Sequence, residues 1–162
     1  KGSHTLYLEK ELGWTGLLVE CNPTVIPILK THHRKAWVAD VCLAHQHPWL
    51  VEPLRNLGIF RCRQNGRFEV QTMPLYTVLA ALDYKFIDYF SFDIEGAELA
   101  VFKTFPFELV TFKVLVVEIM FYTQVERQEL HDLLISKGYV FVKDLQVDKV
   151  YVHNSVKDMI PD

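Results

Sequence analysis

Apolar residues in this chain gather into short unbroken runs separated by amphipathic stretches. Leu17-Leu18-Val19, closed by Glu20, is continuous rather than alternating. A central strand of a parallel sheet reads this way because both of its faces are covered. Ala36–Val41 repeats the pattern with Asp40 just before its last residue, Ile87–Phe92 ends at Asp93, and Val114–Val117 ends at Glu118. A short helix is expected between Ser3 and Gly13, with Ser3 or Thr5 as cap and Gly13 as stop. A second follows Cys21-Asn22, with Thr24 as cap and Pro27 inside the first turn, where it loses no bond. Further helices are expected from Pro74 to about Leu82, from Ile94 to Phe105 and from Gln124 to Ser136, the last stopped by Lys137-Gly138.

Asn65-Gly66 between Ile59–Gln64 and Arg67–Thr72 is a hairpin signal, and Tyr139–Leu145 and Lys149–His153 read as two tightly joined strands. The stretch from His45 to Asn56, with Pro48 and Pro53, reads as loop. Strands alternating with helices imply right-handed crossovers. The fold class is therefore α/β and Rossmann-like, a mostly parallel sheet with helices on both faces and an antiparallel C-terminal edge strand.

A length of 162 residues fits one domain spanning 1–162. Half the residues are hydrophobic (50%), which excludes general disorder. A formal charge of −3, from 17 Lys and Arg against 20 Asp and Glu, excludes a basic nucleic-acid reader. Val110–Tyr122 is the most apolar stretch, but Lys113 and Glu118 break it and it is too short for a bilayer. No membrane insertion by residues 1–162 and no leader peptide are expected.

Three cysteines imply no disulfide framework, although one bridge with a spare thiol stays open. Cys21 and Cys42 adjoin strand ends and are expected as buried free thiols. His32-His33 and His45-Gln46-His47 have no cysteine or carboxylate at ligand spacing, so solvated histidines and no metal are expected. Trp14, Trp37 and Trp49 are expected in a core or an interface. Phe105-Pro106-Phe107 reads as a packed helix end rather than a lid.

Open α/β sheets bind ligands outside the carboxyl ends of their strands. Glu20, Asp93 and Glu118 each end a strand there, and Asp40 nearly does. A carboxylate accepts two hydrogen bonds from the hydroxyls of a ribose, and an acid on the next strand suits an adenine amino group. The competing role for each acid is to cap the following helix, and Asp93 stands ahead of one with Glu95 and Glu98 in its expected first turn. Glu20 and Asp93 together favour a ligand, whereas Glu118 alone does not.

These residues also carry a resemblance. Gly13–Glu20, Asn22-Pro23 and the block Asp88–Glu98, which contains Asp93-Ile94-Glu95-Gly96-Ala97-Glu98, are similar to the FkbM-type methyltransferase domain. Ser3–Glu9 and Pro74–Thr77 match it too, and within the family the likeness is to an animal subgroup that includes the insect protein Star. The resemblance implies an S-adenosylmethionine-dependent enzyme that methylates an oxygen of a sugar or other small molecule. Glu20 would hold the ribose with Asn22 beside it, and Asp40 and Val41 would line the adenine pocket. Asp93 would sit beside the transferring methyl, facing the cofactor's sulfonium or the acceptor hydroxyl, and Glu95 would join it as a catalytic group. A carboxylate stabilises a sulfonium and takes a hydroxyl proton.

The family places a strand and a glycine-rich turn ahead of the Ser3-His4-Thr5-Leu6 helix. A chain starting at Lys1 is then expected to be N-terminally truncated, to lack the central strand between those ending at Glu20 and Asp93, and to bind S-adenosylmethionine poorly. The Star-like subgroup implies an alternative. In it, a non-catalytic module in the endoplasmic reticulum and Golgi lumen helps growth-factor precursors through the secretory pathway, with a client protein as partner. Without that likeness the expected place is the cytoplasm and the partner a small-molecule acceptor.

Overall fold

A glycine in the left-handed region closes the first helix of this computed structural model, which describes residues 3–44 and 71–159. Helix α1 (Leu6–Leu12) ends at Gly13, φ 69°, so that the N–H groups of Gly13 and Trp14 both reach the Leu8 carbonyl. Strand β1 (Leu17–Glu20), helix α2 (Val25–Thr31) and strand β2 (Trp37–Asp40) follow. β1 and β2 pair in parallel, with Glu20 opposite Asp40. Neither shows the full burial expected of it: β1 is half-buried throughout and both ends of β2 are exposed. Among the described residues each has only the other as a sheet neighbour, so both outer edges of the pair are without a strand partner there. Trp14 and Trp37, expected in a core or an interface, lie outside the core at 39% and 69% exposure.

Glu9 anchors this region. Its buried carboxylate accepts from Arg34 Nε at 2.9 Å and from the N–H groups of Lys35 at 2.9 Å and Ala36 at 3.3 Å. It thereby ties α1 to the segment between α2 and β2. Strands β3 (Cys42–Ala44) and β4 (Thr72–Pro74) form a second parallel pair. The sequence predicts neither, because three residues carry no readable period. A disulfide joins Cys21 to Cys42, which corrects the expectation of free thiols. The Asn65-Gly66 turn, Trp49, Cys62, His45 and His47 lie outside the described residues.

These elements belong to one compact unit within residues 1–74, and the rest to a second within 75–162. The second holds α3 (Leu75–Ala80), β5 (Phe86–Phe92), α4 (Glu98–Thr104), β6 (Thr111–Glu118), α5 (Gln124–Ser136), β7 (Tyr139–Leu145), β8 (Asp148–His153) and a 3-10 helix, Asn154–Met159. Its sheet runs β5-β6-β8-β7. β5 and β6 are parallel, whereas β8 is antiparallel to both its neighbours. The expected antiparallel edge strand is thus corrected: β8 is antiparallel but interior, and β7 is the edge. The reason is polarity, since Val150, Tyr151 and Val152 of β8 are buried while β7 ends in exposed Lys143, Asp144 and Leu145.

Phe112, Leu115 and Val117 of β6, Tyr151 of β8 and Leu130 and Leu134 of α5 are wholly enclosed. Leu130 and Leu134 stand four residues apart, on one helical face. Thr123 and Glu126 cap α5 reciprocally. Phe107 packs against Phe102, Phe105 and Phe112, so Phe105-Pro106-Phe107 is the packed helix end that was expected. At this coarse level the chain is the mixed α/β protein its pattern implied. No helix among the described residues is long and apolar enough to cross a membrane.

Candidate functional site

The first unit brings four predicted residues to the carboxyl ends of one strand pair. Parallel register sets Glu20, last in β1, beside Asp40, last in β2. Glu20 is half-buried, and its Oε1 accepts the Asn22 N–H at 2.7 Å. Asn22 also shapes the turn into α2. Its Oδ1 accepts the N–H of Thr24 at 2.9 Å and the Thr24 hydroxyl at 2.7 Å, and its carbonyl accepts from Val25 and Ile26. Thr24 makes no side-chain cap of its own, so Asn22 does the work expected of Thr24. Asp40 is exposed and Val41 half-buried. The disulfide runs from Cys21, beside Glu20, to Cys42, beside Val41, and fastens this rim covalently.

The second unit builds an acidic cluster. Asp93 follows β5 and Glu118 ends β6, and the parallel pairing sets Phe92 opposite Val117. Glu95 and Gly96 have φ of 62° and 97°, and residues in that region do not continue a right-handed helix. Helix α4 therefore starts at Glu98, which corrects the expected start at Ile94. Ala97 occupies the N-cap, so Asp93 does not cap the helix. A Cβ at Gly96 would lie 3.2 Å from that of Phe121, a second reason for glycine there.

Glu98 holds the turn together. It is 0% exposed; its Oε1 accepts from the N–H of Ile94 at 2.6 Å and of Gly96 at 3.3 Å. Its Oε2 accepts from the Tyr122 hydroxyl at 2.9 Å, which in turn accepts the Leu99 N–H at 2.6 Å. Burial, and the Glu98 charge beside it, push the Tyr122 hydroxyl well above the usual phenol range.

Asp93, Glu98 and Glu118 each offer a carboxylate oxygen within 4.8 Å of the other two. Asp93 faces solvent. Glu118 counted as a whole residue is only partly buried, but its carboxylate is enclosed: Oε2 has neither solvent contact nor a hydrogen-bond partner. Burial pushes the Glu118 carboxyl up to about 7, helped by the charges of Asp93, Glu95 and Glu98.

Of the predicted catalytic pair, Asp93 stands in this cluster. Glu95 is exposed on the left-handed turn; its charge reaches Glu118, but it is not among the three converging carboxylates. Glu118, Glu98 and Tyr122 are absent from the sequence-based site. The signal for Glu118 was its place at a strand end, and only the pairing of β5 with β6 turns that into a neighbour of Asp93. His32 and His33 are exposed, as expected of solvated histidines.

A mixed α/β chain with parallel strand pairs and carboxylates at their carboxyl ends is consistent, at a coarse level, with a Rossmann-like fold. A family model described as the methyltransferase FkbM domain matches residues 1–141, and the chain belongs to that family. No curated protein and no solved structure matches it.

Proposed function

We propose that this chain is a methyltransferase that uses S-adenosylmethionine to methylate an oxygen of a small-molecule or sugar-like acceptor. The observation that carries the reading is the meeting of Asp93 and Glu118 at the ends of adjacent parallel strands, one open to solvent and one enclosed. Membership of the family supports use of the cofactor. The chain's residues fit it: the Asn22 N–H holds Glu20 Oε1, which orients the carboxylate toward accepting ribose hydroxyls, and exposed Asp40 stands beside it in register. When bound, S-adenosylmethionine supplies an electrophilic methyl group on a sulfonium. Asp93 receives the acceptor hydroxyl's hydrogen bond and holds its proton as the oxygen attacks. Glu98 and Tyr122 keep the turn bearing Asp93 in place.

Isothermal titration with S-adenosylmethionine and S-adenosylhomocysteine tests this. It should be run on residues 1–162 and on the chain extended through the strand and glycine-rich turn expected upstream. Binding by the extended chain that Glu20→Ala weakens is the expected result. Absence of heat from it at millimolar ligand overturns the reading.

A second reading, the Star-like module in secretory traffic, is favoured by the Cys21–Cys42 disulfide, which fits an oxidising lumen. It predicts a stable chain that binds neither cofactor form and associates with a growth-factor precursor.

A further inference from the structure

We propose that Asp93 and Glu118 bind a hard divalent cation of the Mg²⁺ or Mn²⁺ class, with Glu98 holding the turn around it. Three carboxylates whose oxygens lie within 4.8 Å of one another form an all-oxygen donor set, which selects hard cations over zinc or copper. The second observation is independent of that spacing. Glu118 Oε2 is an enclosed acceptor with no donor, and an unmet buried acceptor is costly and uncommon. The neighbouring charges that act on this carboxylate, from Asp93, Glu95 and Glu98, are all negative, so a cation would relieve both deficits at once.

The three acids are not equivalent. Glu98 already accepts three hydrogen bonds, from Ile94, Gly96 and Tyr122, out of about four that a carboxylate takes. It is a positioning residue, and direct ligation falls to Asp93 and Glu118. Asp93 is exposed, which gives an ion a way in and leaves coordination positions for water or a ligand oxygen. On the methyltransferase reading, on which this consequence alone rests, the cation would hold the acceptor oxygen as a Lewis acid and ease loss of its proton.

The test is titration of the chain with Mn²⁺, following the electron paramagnetic resonance signal of the free ion. Wild type, Asp93→Asn, Glu118→Gln and the exposed control Glu108→Gln are compared, with thermal melts to verify folding. One saturable ion at sub-millimolar affinity is expected for wild type and control. Each cluster variant should bind roughly tenfold or more weakly, and Mn²⁺ should raise the melting temperature of wild type and control only. No saturable binding by wild type, or binding kept by both cluster variants, overturns the proposal. A wild type that ignores Mn²⁺ yet binds S-adenosylmethionine far better than the neutral S-adenosylhomocysteine also overturns it, since the acids then serve the sulfonium and the methyltransferase reading stands. Mn²⁺ binding by a chain whose N-terminally extended form responds to neither nucleoside supports the cation site and removes the methyltransferase reading.

Discussion

Both β1–β2 and β5–β6 are parallel pairs that bring carboxylates to their carboxyl ends, yet they hold those carboxylates by different means. Around β1 and β2 the strands are half-exposed, and the rim is kept in shape by the Asn22 turn and the Cys21–Cys42 bridge. Around β5 and β6 the core does the holding: Phe92 is 2% exposed and Val117 0%, and Glu98 is locked from two sides. A carboxylate that only accepts hydrogen bonds from a ligand's hydroxyls works well when solvated. One that must shift its proton affinity or take up a cation needs the low dielectric that enclosure supplies. On the function proposed above, the first rim suits recognition and the second chemistry.

The widest contrast should appear when a leucine is truncated in each pair. Leu115→Ala in β6 removes a side chain with 0% exposure and should cost about 2–5 kcal/mol. Leu18→Ala in half-buried β1 should cost about 1 kcal/mol. Urea denaturation followed by far-ultraviolet circular dichroism measures both. Equal costs would break the contrast and place β1 in a core as tight as that of β6.

Next in size is the covalent fastening. Closing the loop between Cys21 and Cys42, 21 residues apart, should stabilise the fold by about 3 kcal/mol, chiefly through the unfolded chain. Trp14, Trp37 and Trp49 all lie within residues 1–74, so tryptophan fluorescence reports on that unit alone. Dithiothreitol, or Cys42→Ser, should lower the fluorescence melting temperature more than that seen by tyrosine-weighted probes of the second unit. Coincident shifts would show that the bridge stabilises the whole chain.

Tyr122→Phe probes the second rim on a smaller scale. Loss of the hydroxyl leaves Glu98 Oε2 and the Leu99 N–H without their partner, which should cost about 2 kcal/mol. Hydrogen exchange at Ile94, Gly96 and Leu99 should quicken in the variant. Unchanged exchange would show that the turn does not depend on the lock.

What could be read from the sequence follows from how local each determinant is. α5 (Gln124–Ser136) and β7 (Tyr139–Leu145) have the bounds their patterns predict, because an amphipathic period and the Lys137-Gly138 stop act locally. The start of α4 was not legible: Glu95 and Glu98 suit a first helical turn, while the bonds that bend Ile94–Gly96 outward come from Glu98 and Tyr122 acting together. The place of β8 depends on which arm of a hairpin is the more apolar, a contrast the strand pattern alone does not rank. Asp93 was legible as a strand-end acid. Its partner Glu118 was visible in the same way, but its nearness to Asp93 exists only once β5 and β6 pair. The Cys21–Cys42 pairing was likewise hidden, since spacing does not dictate connectivity.

The gentlest effect concerns pH and the first unit. Burial raises the proton affinity of Glu9, but hydrogen bonds from the Lys35 N–H, the Arg34 side chain and the Ala36 N–H, with the Arg34 charge, outweigh it and leave the carboxyl below its ordinary 4.5. A folded value below the unfolded one adds stability that is fully present above the unfolded value and is lost as pH falls through the folded one. Tryptophan fluorescence should therefore show the first unit losing stability as pH drops below about 4.5. Glu9→Gln should be less stable than wild type at neutral pH and converge on it in acid. Because Arg34 and Glu9 are enclosed, with side chains 7% and 8% exposed, moderate salt should change this difference little. A variant that matches wild type at every pH would mean that the Glu9 charge contributes nothing and that α1 is held by the shape of its contacts alone.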